Sequence, residues 1–278
     1  MKSLFLIRMR RLLILSLQIG GVVYLLLCFY VFYIQKQLLY HPTKALRTEQ
    51  LLTAQKHEER EFLDSKGEFA GWMLGPEQAA KTVVIFHGNT GLAVNRHYLS
   101  DPFLSNPLTQ NWKVLLFEYP GFGYREGEPD EKSIVEKALL TIDSISGPII
   151  LVGESLGSGV AAHIAAQRAT RIDGILLIVP FNNMAETAQF HYPYLPISLI
   201  LTEHYRSDEL LQHYKGKIGV MIAEKDQVIP PRLAQKLFDS IENPKKEWII
   251  PGVGHDGIPH QAQTLWWREA IQFLALSS

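Results

Sequence analysis

Pro148-Ile149-Ile150-Leu151-Val152-Gly153-Glu154-Ser155-Leu156-Gly157-Ser158-Gly159-Val160-Ala161-Ala162 decides the reading of this chain. An unbroken β-branched and aliphatic run enters a Gly-x-Ser-x-Gly pentapeptide, and a helical pattern carried by Val160, Ile164 and Ala165 leaves it. The run has the length of a strand buried on both faces. A serine on so tight a strand-to-helix turn needs neighbours without bulk, which Gly153 and Gly157 supply. The pentapeptide alone arises often by chance, given ordinary glycine and serine usage. Its setting gives it meaning: the turn exposes the Ser155 hydroxyl, and the following helix offers backbone N–H groups and a positive dipole end.

A serine hydroxyl is a poor nucleophile unless a base takes its proton. His255 fits that role, in Gly252-Val253-Gly254-His255 after the strand-like Glu247–Ile250. Asp226 fits as the acid that fixes the imidazole tautomer, just past the strand-like Gly219–Ala223. Glu224 and Asp256 are rival acids beside better placed residues, and any single histidine or aspartate is more often structural than catalytic. The chain order Ser, Asp, His, with each residue at the end of a strand, gives the set its weight. Two backbone amides should face an oxyanion, that of Leu156 and one after Phe86-His87-Gly88-Asn89-Thr90; Asn89 is the first choice and Thr90 the fallback. His87 reads as a packing residue.

Outward from this stretch, strand-length runs at Glu59–Leu63, Glu68–Leu74, Thr82–His87, Lys113–Glu118 and Gly174–Val179 join those already named. They alternate with helix-length segments at Arg96–Leu104, Glu131–Ile145, Ser155–Arg168, Pro231–Ile241 and Gln261–Leu276. The rhythm predicts an α/β fold, a mostly parallel central sheet with helices on both faces. Residues 181–217 break it. With Tyr192-Pro193-Tyr194-Leu195-Pro196 inside, they read as a cap-like insertion over the sheet's C-terminal edge, or as a plain surface excursion.

Together, Phe86-His87-Gly88-Asn89, Glu118-Tyr119-Pro120-Gly121-Phe122-Gly123, Gly153-Glu154-Ser155-Leu156-Gly157, Tyr192-Pro193-Tyr194-Leu195-Pro196, Asp226-Gln227-Val228-Ile229-Pro230 and Gly254-His255 resemble the α/β-hydrolase superfamily. Within it they are similar to small membrane-anchored hydrolases related to serine aminopeptidases. The resemblance covers about residues 58–278 and implies a Ser155–His255–Asp226 triad with an oxyanion hole from the Asn89 and Leu156 amides. Two positions depart from it: Glu118 stands where Asp is frequent, and Asp256-Gly257 where Asn-Asp is common.

The first 48 residues are of another kind. Leu12 to Ile34 carries no charge, and at 1.5 Å per residue it crosses a hydrocarbon layer of roughly 30 Å. Residues 1–11 form a basic segment, 12–34 a transmembrane anchor, 35–57 a polar arm with a turn at His41-Pro42, and 58–278 the hydrolase domain. Lys2, Arg8, Arg10 and Arg11 precede the span, which predicts a cytoplasmic N-terminus and a body on the non-cytoplasmic side. A cleaved signal peptide fits less well, because the apolar run is too long and no small-x-small site follows it.

A net charge of -1 and the lack of a basic stripe exclude nucleic-acid binding. The single cysteine, Cys28, lies in the span, so the body has no disulfide framework, Cys-based metal site or Cys nucleophile. No His-Glu-x-x-His metal spacing occurs, and two glycine-rich stretches, at 121–126 and 157–162, miss the dinucleotide pattern. No cofactor is therefore implied. The expected chemistry is acyl transfer from an ester or thioester to water, with a small-molecule or lipid-like acyl substrate suggested by the tether. Amide cleavage of aminopeptidase type is the alternative and would need a carboxylate for the substrate amine, with Glu154, Glu186 and Glu203 as candidates. A catalytically silent, tethered binding module is the rival outside enzymology.

Overall fold

The computed structural model describes residues 2–276. One long helix, Lys2–Leu39 (α1), is followed by a two-residue strand, His41–Pro42 (β1), and helix Arg47–Lys56 (α2). Strands Arg60–Leu63 (β2), Phe69–Leu74 (β3), Lys81–Phe86 (β4) and Thr90–Gly91 (β5) lead to helix His97–Leu104 (α3) and strand Trp112–Phe117 (β6). Helix Glu131–Asp143 (α4), strand Ile149–Glu154 (β7), helix Leu156–Gln167 (α5) and strand Ile172–Ile178 (β8) come next. Three short helices, Met184–His191 (α6), Ile197–Ile200 (α7) and Ser207–Leu210 (α8), occupy the insertion. Strand Lys217–Ala223 (β9), helix Pro231–Ser240 (α9), strand Lys245–Ile250 (β10) and helix Leu265–Ala275 (α10) complete the body.

Eight strands make one sheet in the order β10-β9-β8-β7-β4-β6-β3-β2. From β10 to β6 every pairing is parallel, and β3 and β2 add antiparallel edges. The central strands are buried on both faces, which is why they read as continuous Val/Ile/Leu runs rather than alternations. One core cluster joins the sheet to α4, α5 and α9; the other joins its opposite face to α3 and α10. All eight strands and five body helices expected from the sequence are present, with ends shifted by a few residues. The C-terminal helix begins at Leu265 rather than Gln261.

The N-terminal region differs more. Helix α1 runs past both ends of the charge-free span, and its apolar stretch is almost entirely exposed. Residues 47–56, expected within a polar arm, form α2, which has few apolar residues yet buries Gln50 and Ala54 against the body. His41-Pro42 makes no turn. It pairs in parallel with Thr90-Gly91, in the extended conformation that an X-Pro pair favours. The arm is further fastened by Gly123 N–H donating to Thr43 O (2.8 Å) and by burial of Tyr40.

Candidate active site

Four loops at the C-terminal ends of parallel strands meet on one rim, where the order of strands reverses around β4 and β7. Ser155 joins β7 to α5 with φ +52° and ψ −117°, a left-handed conformation unusual for a residue with a side chain. The glycines beside it are there for want of space. A Cβ on Gly157 would sit 2.0 Å from Phe86 O, and one on Gly153 would sit 2.4 Å from Gly157 O. The elbow thus needs close backbone contact between β4, β7 and α5.

His255 follows β10 and reaches Ser155; Asp226 follows β9 and reaches His255. His255 Nε2 lies 3.0 Å from Ser155 Oγ, and His255 Nδ1 lies 2.6 Å from Asp226 Oδ2. An ionised carboxylate only accepts, so Nδ1 carries the proton and the neutral ring presents Nε2 as acceptor to the serine hydroxyl. Asp226 is itself fixed, since its Oδ1 accepts the amides of Val228 and Ile229, both at 2.8 Å. The rival acids lie elsewhere. Glu224 accepts the Gly252 amide (2.7 Å), and Asp256 is exposed.

Gly88 brings the loop after β4 against the elbow, with room for a Cβ only 3.7 Å from Ser155 Cβ. Among the described residues, the amides of Asn89 and Leu156 donate to no protein acceptor. Thr90, the fallback, lies in β5 opposite His41. The Asn89 side chain donates to Leu39 O (2.7 Å), and Asn89 O accepts the His41 amide (2.9 Å). The loop is therefore docked on the end of α1, a link that no sequence pattern announces.

Other supports also escaped the sequence reading. Tyr119 OH donates to His87 O (2.6 Å), and burial raises its pKa well above the ordinary phenol value, so it stays a donor. Glu118 accepts the Ala93 amide (3.2 Å) and lies 3.4 Å from His87 Nε2, without alignment for a hydrogen bond. Buried His87 is the packing residue the sequence suggested. Burial lowers the Arg125 pKa to about 10, against the opposing charges of Asp64, Glu118 and Glu68, which leaves it protonated at neutral pH.

Glu131, at the start of α4, fastens the insertion: its carboxylate accepts the amides of His204 (2.5 Å) and Tyr205 (2.8 Å) and faces His163 Nε2 (2.8 Å). Burial pushes its pKa up, but His163 and the two amides outweigh that and hold it below the usual carboxylate range. The three carboxylates considered for an amine ligand have internal partners. Glu154 accepts from Tyr98 OH (3.0 Å), Glu186 from Lys236 (2.5 Å), and Glu203 from Tyr40 OH (2.5 Å) and the Glu131 amide (2.6 Å).

Sheet order and elbow together define an α/β-hydrolase. A profile of the α/β-hydrolase fold family matches residues 81–213, and the chain has the α/β-hydrolase fold. It is 34% identical over 150 residues to an uncharacterized protein of Mycobacterium tuberculosis, covering 51% of this chain and 53% of that protein. It is 30% identical over 198 residues to the lysophosphatidylserine lipase ABHD12 of Danio rerio, covering 63% of this chain and 51% of that protein. The chain thus spans about half the length of these curated relatives. Among solved structures it shares its fold with Est1E of Butyrivibrio proteoclasticus bound to ferulic acid (TM-score 0.63, 17% identity, 77% of this chain and 97% of that one). An esterase of Pyrococcus furiosus is similar too (TM-score 0.61, 17% identity, 78% and 88%).

Proposed function

We propose that the chain is a membrane-anchored serine hydrolase that cleaves carboxylic ester or thioester bonds. The observation carrying this reading is the unbroken relay from Asp226 Oδ2 through His255 to Ser155 Oγ, at 2.6 and 3.0 Å. Ser155 Oγ attacks the acyl carbon as His255 Nε2 takes its proton. The carbonyl oxygen gathers charge opposite the Asn89 and Leu156 amides. His255 then returns the proton to the departing alcohol or thiol, leaving an acyl-Ser155 ester. Water, deprotonated by the same imidazole, attacks that ester and releases the acid. Asp226 keeps Nδ1 protonated and stabilises the transient imidazolium.

The lipase and esterases among similar proteins favour an ester over an amide. So does the engagement of Glu154, Glu186 and Glu203, which leaves no evident carboxylate for a substrate amine. The apolar α1 supports a single span, and the four cations before it support a cytoplasmic N-terminus. A fluorophosphonate probe should label the wild-type protein at Ser155 and leave Ser155→Ala unlabelled. Equal labelling of both, or none on folded wild type, would sink the assignment. Protease protection in sealed vesicles tests the orientation: the body should be shielded when the cytoplasmic face is outermost.

A further inference from the structure

Between the last turns of α1 and the cap lies a cavity of about 220 Å³. Val31, Leu38 and Leu39 line it from the anchor, and Met184, Ile197 and Ile200 from the cap. Of its polar side chains, the Tyr192 hydroxyl has no protein partner among the described residues, while Gln35 bonds Ile200 O (3.0 Å) and the Thr202 amide (2.8 Å), Thr187 bonds Asn183 O (3.2 Å), and His191 bonds Val228 O (2.8 Å). With Glu203 also engaged, these bonded groups are already spent, and the walls favour hydrocarbon. Two wall residues abut the candidate catalytic centre. Leu39 O holds the Asn89 side chain, and Val228 N–H holds Asp226.

The cap also reaches down along the anchor. Tyr24 OH donates to Tyr194 O (2.8 Å), and Tyr24 lies about 18 Å along the helix axis from Lys36, well inside the charge-free span. The cap tip therefore stands at the depth of lipid tails. Its make-up suits that depth. Tyr194 is 88% and Leu199 83% exposed, and Pro193 and Pro196 have no N–H to satisfy. Three of its carbonyls have side-chain donors that a water-free setting would call for: Gln189 Nε2 serves Tyr192 O (3.1 Å) and Leu195 O (3.3 Å), and Tyr24 serves Tyr194 O.

We infer that the tip of the cap, residues 192–200, is seated in the leaflet nearest the body, and that the cavity between it and α1 receives one acyl chain of a bilayer lipid. The inference rests on the hydrolase reading and extends it: the anchor is a wall of the substrate site. At about 30 Å³ per water-sized group, the cavity takes roughly seven methylene-sized units, the tail of an octanoyl group.

Full-length protein in phosphatidylcholine vesicles provides the test, with nitrophenyl acetate and octanoate as substrates. Each methylene buried in the cavity should raise kcat/KM by about fourfold until the space is filled. Ala188→Trp, filling the cavity from α6, and Leu38→Trp, filling it from α1, should each lower the octanoate-to-acetate ratio at least tenfold. An unchanged ratio in both variants overturns the proposal. A second measurement needs no turnover: Ser155→Ala protein is photolysed with an octanoyl ester bearing a terminal diazirine. Crosslinks at residues 31–39 and 184–201 support the site, and crosslinks confined to residues 12–30 overturn it. Failure of wild type to hydrolyse either ester would count against the hydrolase reading alone, since the crosslinks report on the cavity independently.

Discussion

Gly157→Ala should be among the most damaging single-methyl additions to this protein. The new Cβ would lie 2.0 Å from Phe86 O and 2.5 Å from Phe86 C, whereas carbon and oxygen ordinarily approach to about 3.3–3.6 Å. Both sides of the clash are backbone, so no rotamer relieves it, and α5 must separate from β4 by more than 1 Å. Overpacking typically costs about 1–3 kcal/mol where side chains can yield. With none able to yield, about 3–5 kcal/mol is expected, a large part of a total of roughly 5–15. At about 2–4 °C per kcal/mol for a chain of this size, the melting temperature should fall by roughly 6–20 °C. Gly88→Ala is the internal comparison: its Cβ meets Ser155 Cβ at an ordinary 3.7 Å, so stability should hold within about 0.5 kcal/mol while the new methyl crowds the nucleophile. Tryptophan fluorescence during thermal unfolding of purified full-length protein in detergent reads both variants. A Gly157→Ala protein melting within 3 °C of wild type, a margin set at about 1 kcal/mol, would refute the close strand–helix contact on which the elbow rests.

Three further substitutions probe the site. Asp226→Asn turns an amide N–H₂ toward His255 Nδ1 and selects the wrong tautomer, so kcat should fall about 10⁴-fold with KM little changed; pre-steady-state ester hydrolysis checks it. Asn89→Ala removes the bond to Leu39 O and should lower kcat about tenfold, equivalent to roughly 1.4 kcal/mol, with KM for an acetate ester unmoved. Unaltered kcat would mean that the β1–β5 pairing alone holds the loop. Glu131→Gln tests the cap. Because the folded pKa of Glu131 is depressed, its contribution is full above the unfolded value near about 4.3 and fades as pH falls through the folded one. The variant should melt well below wild type at pH 7, and the gap should narrow below pH ~4; a gap independent of pH contradicts the assignment.

What could be read from the sequence follows its physical periodicity. Strands β4, β7, β8 and β9 are buried on both faces and left continuous apolar runs, so their order and the residues at their ends were legible. Ser155 and Asp226 follow such runs closely; His255 stands five positions past β10, in which only Trp248 is buried. The arm was not. Helix α2 buries only Gln50 and Ala54, too little apolar surface to mark a period, and His41-Pro42 carries the punctuation of a turn while serving as a strand. The bonds from Leu39 and His41 to Asn89 join residues some fifty positions apart, through main-chain atoms that every sequence possesses. Glu131 was visible only as a helix start. Its grip on residues 204 and 205 follows from where the cap folds back.

The arm changes what anchoring means for this enzyme class. A flexible linker would let a hydrolase body tumble above the bilayer and meet substrate from any side. Here α1 continues without interruption to Leu39, and its last turn and the next residues are tied at once: Lys36 to Asp130 (2.9 Å), Tyr40 to Glu203 (2.5 Å) and Tyr205 (2.8 Å), and His41 to Asn89 (2.9 Å). Each bond adds about 1 kcal/mol net, but together they remove the freedom to swing. On the proposed membrane reading, the body's orientation is set by the helix, and the cap beside α1 faces the leaflet. The same arm holds the loop that bears the Asn89 amide, so on that reading a tilt of the anchor would be passed to the proposed oxyanion site. If both proposals hold, substrate supply and transition-state stabilisation pass through one short stretch, residues 36–41, and a lesion there should damage both together.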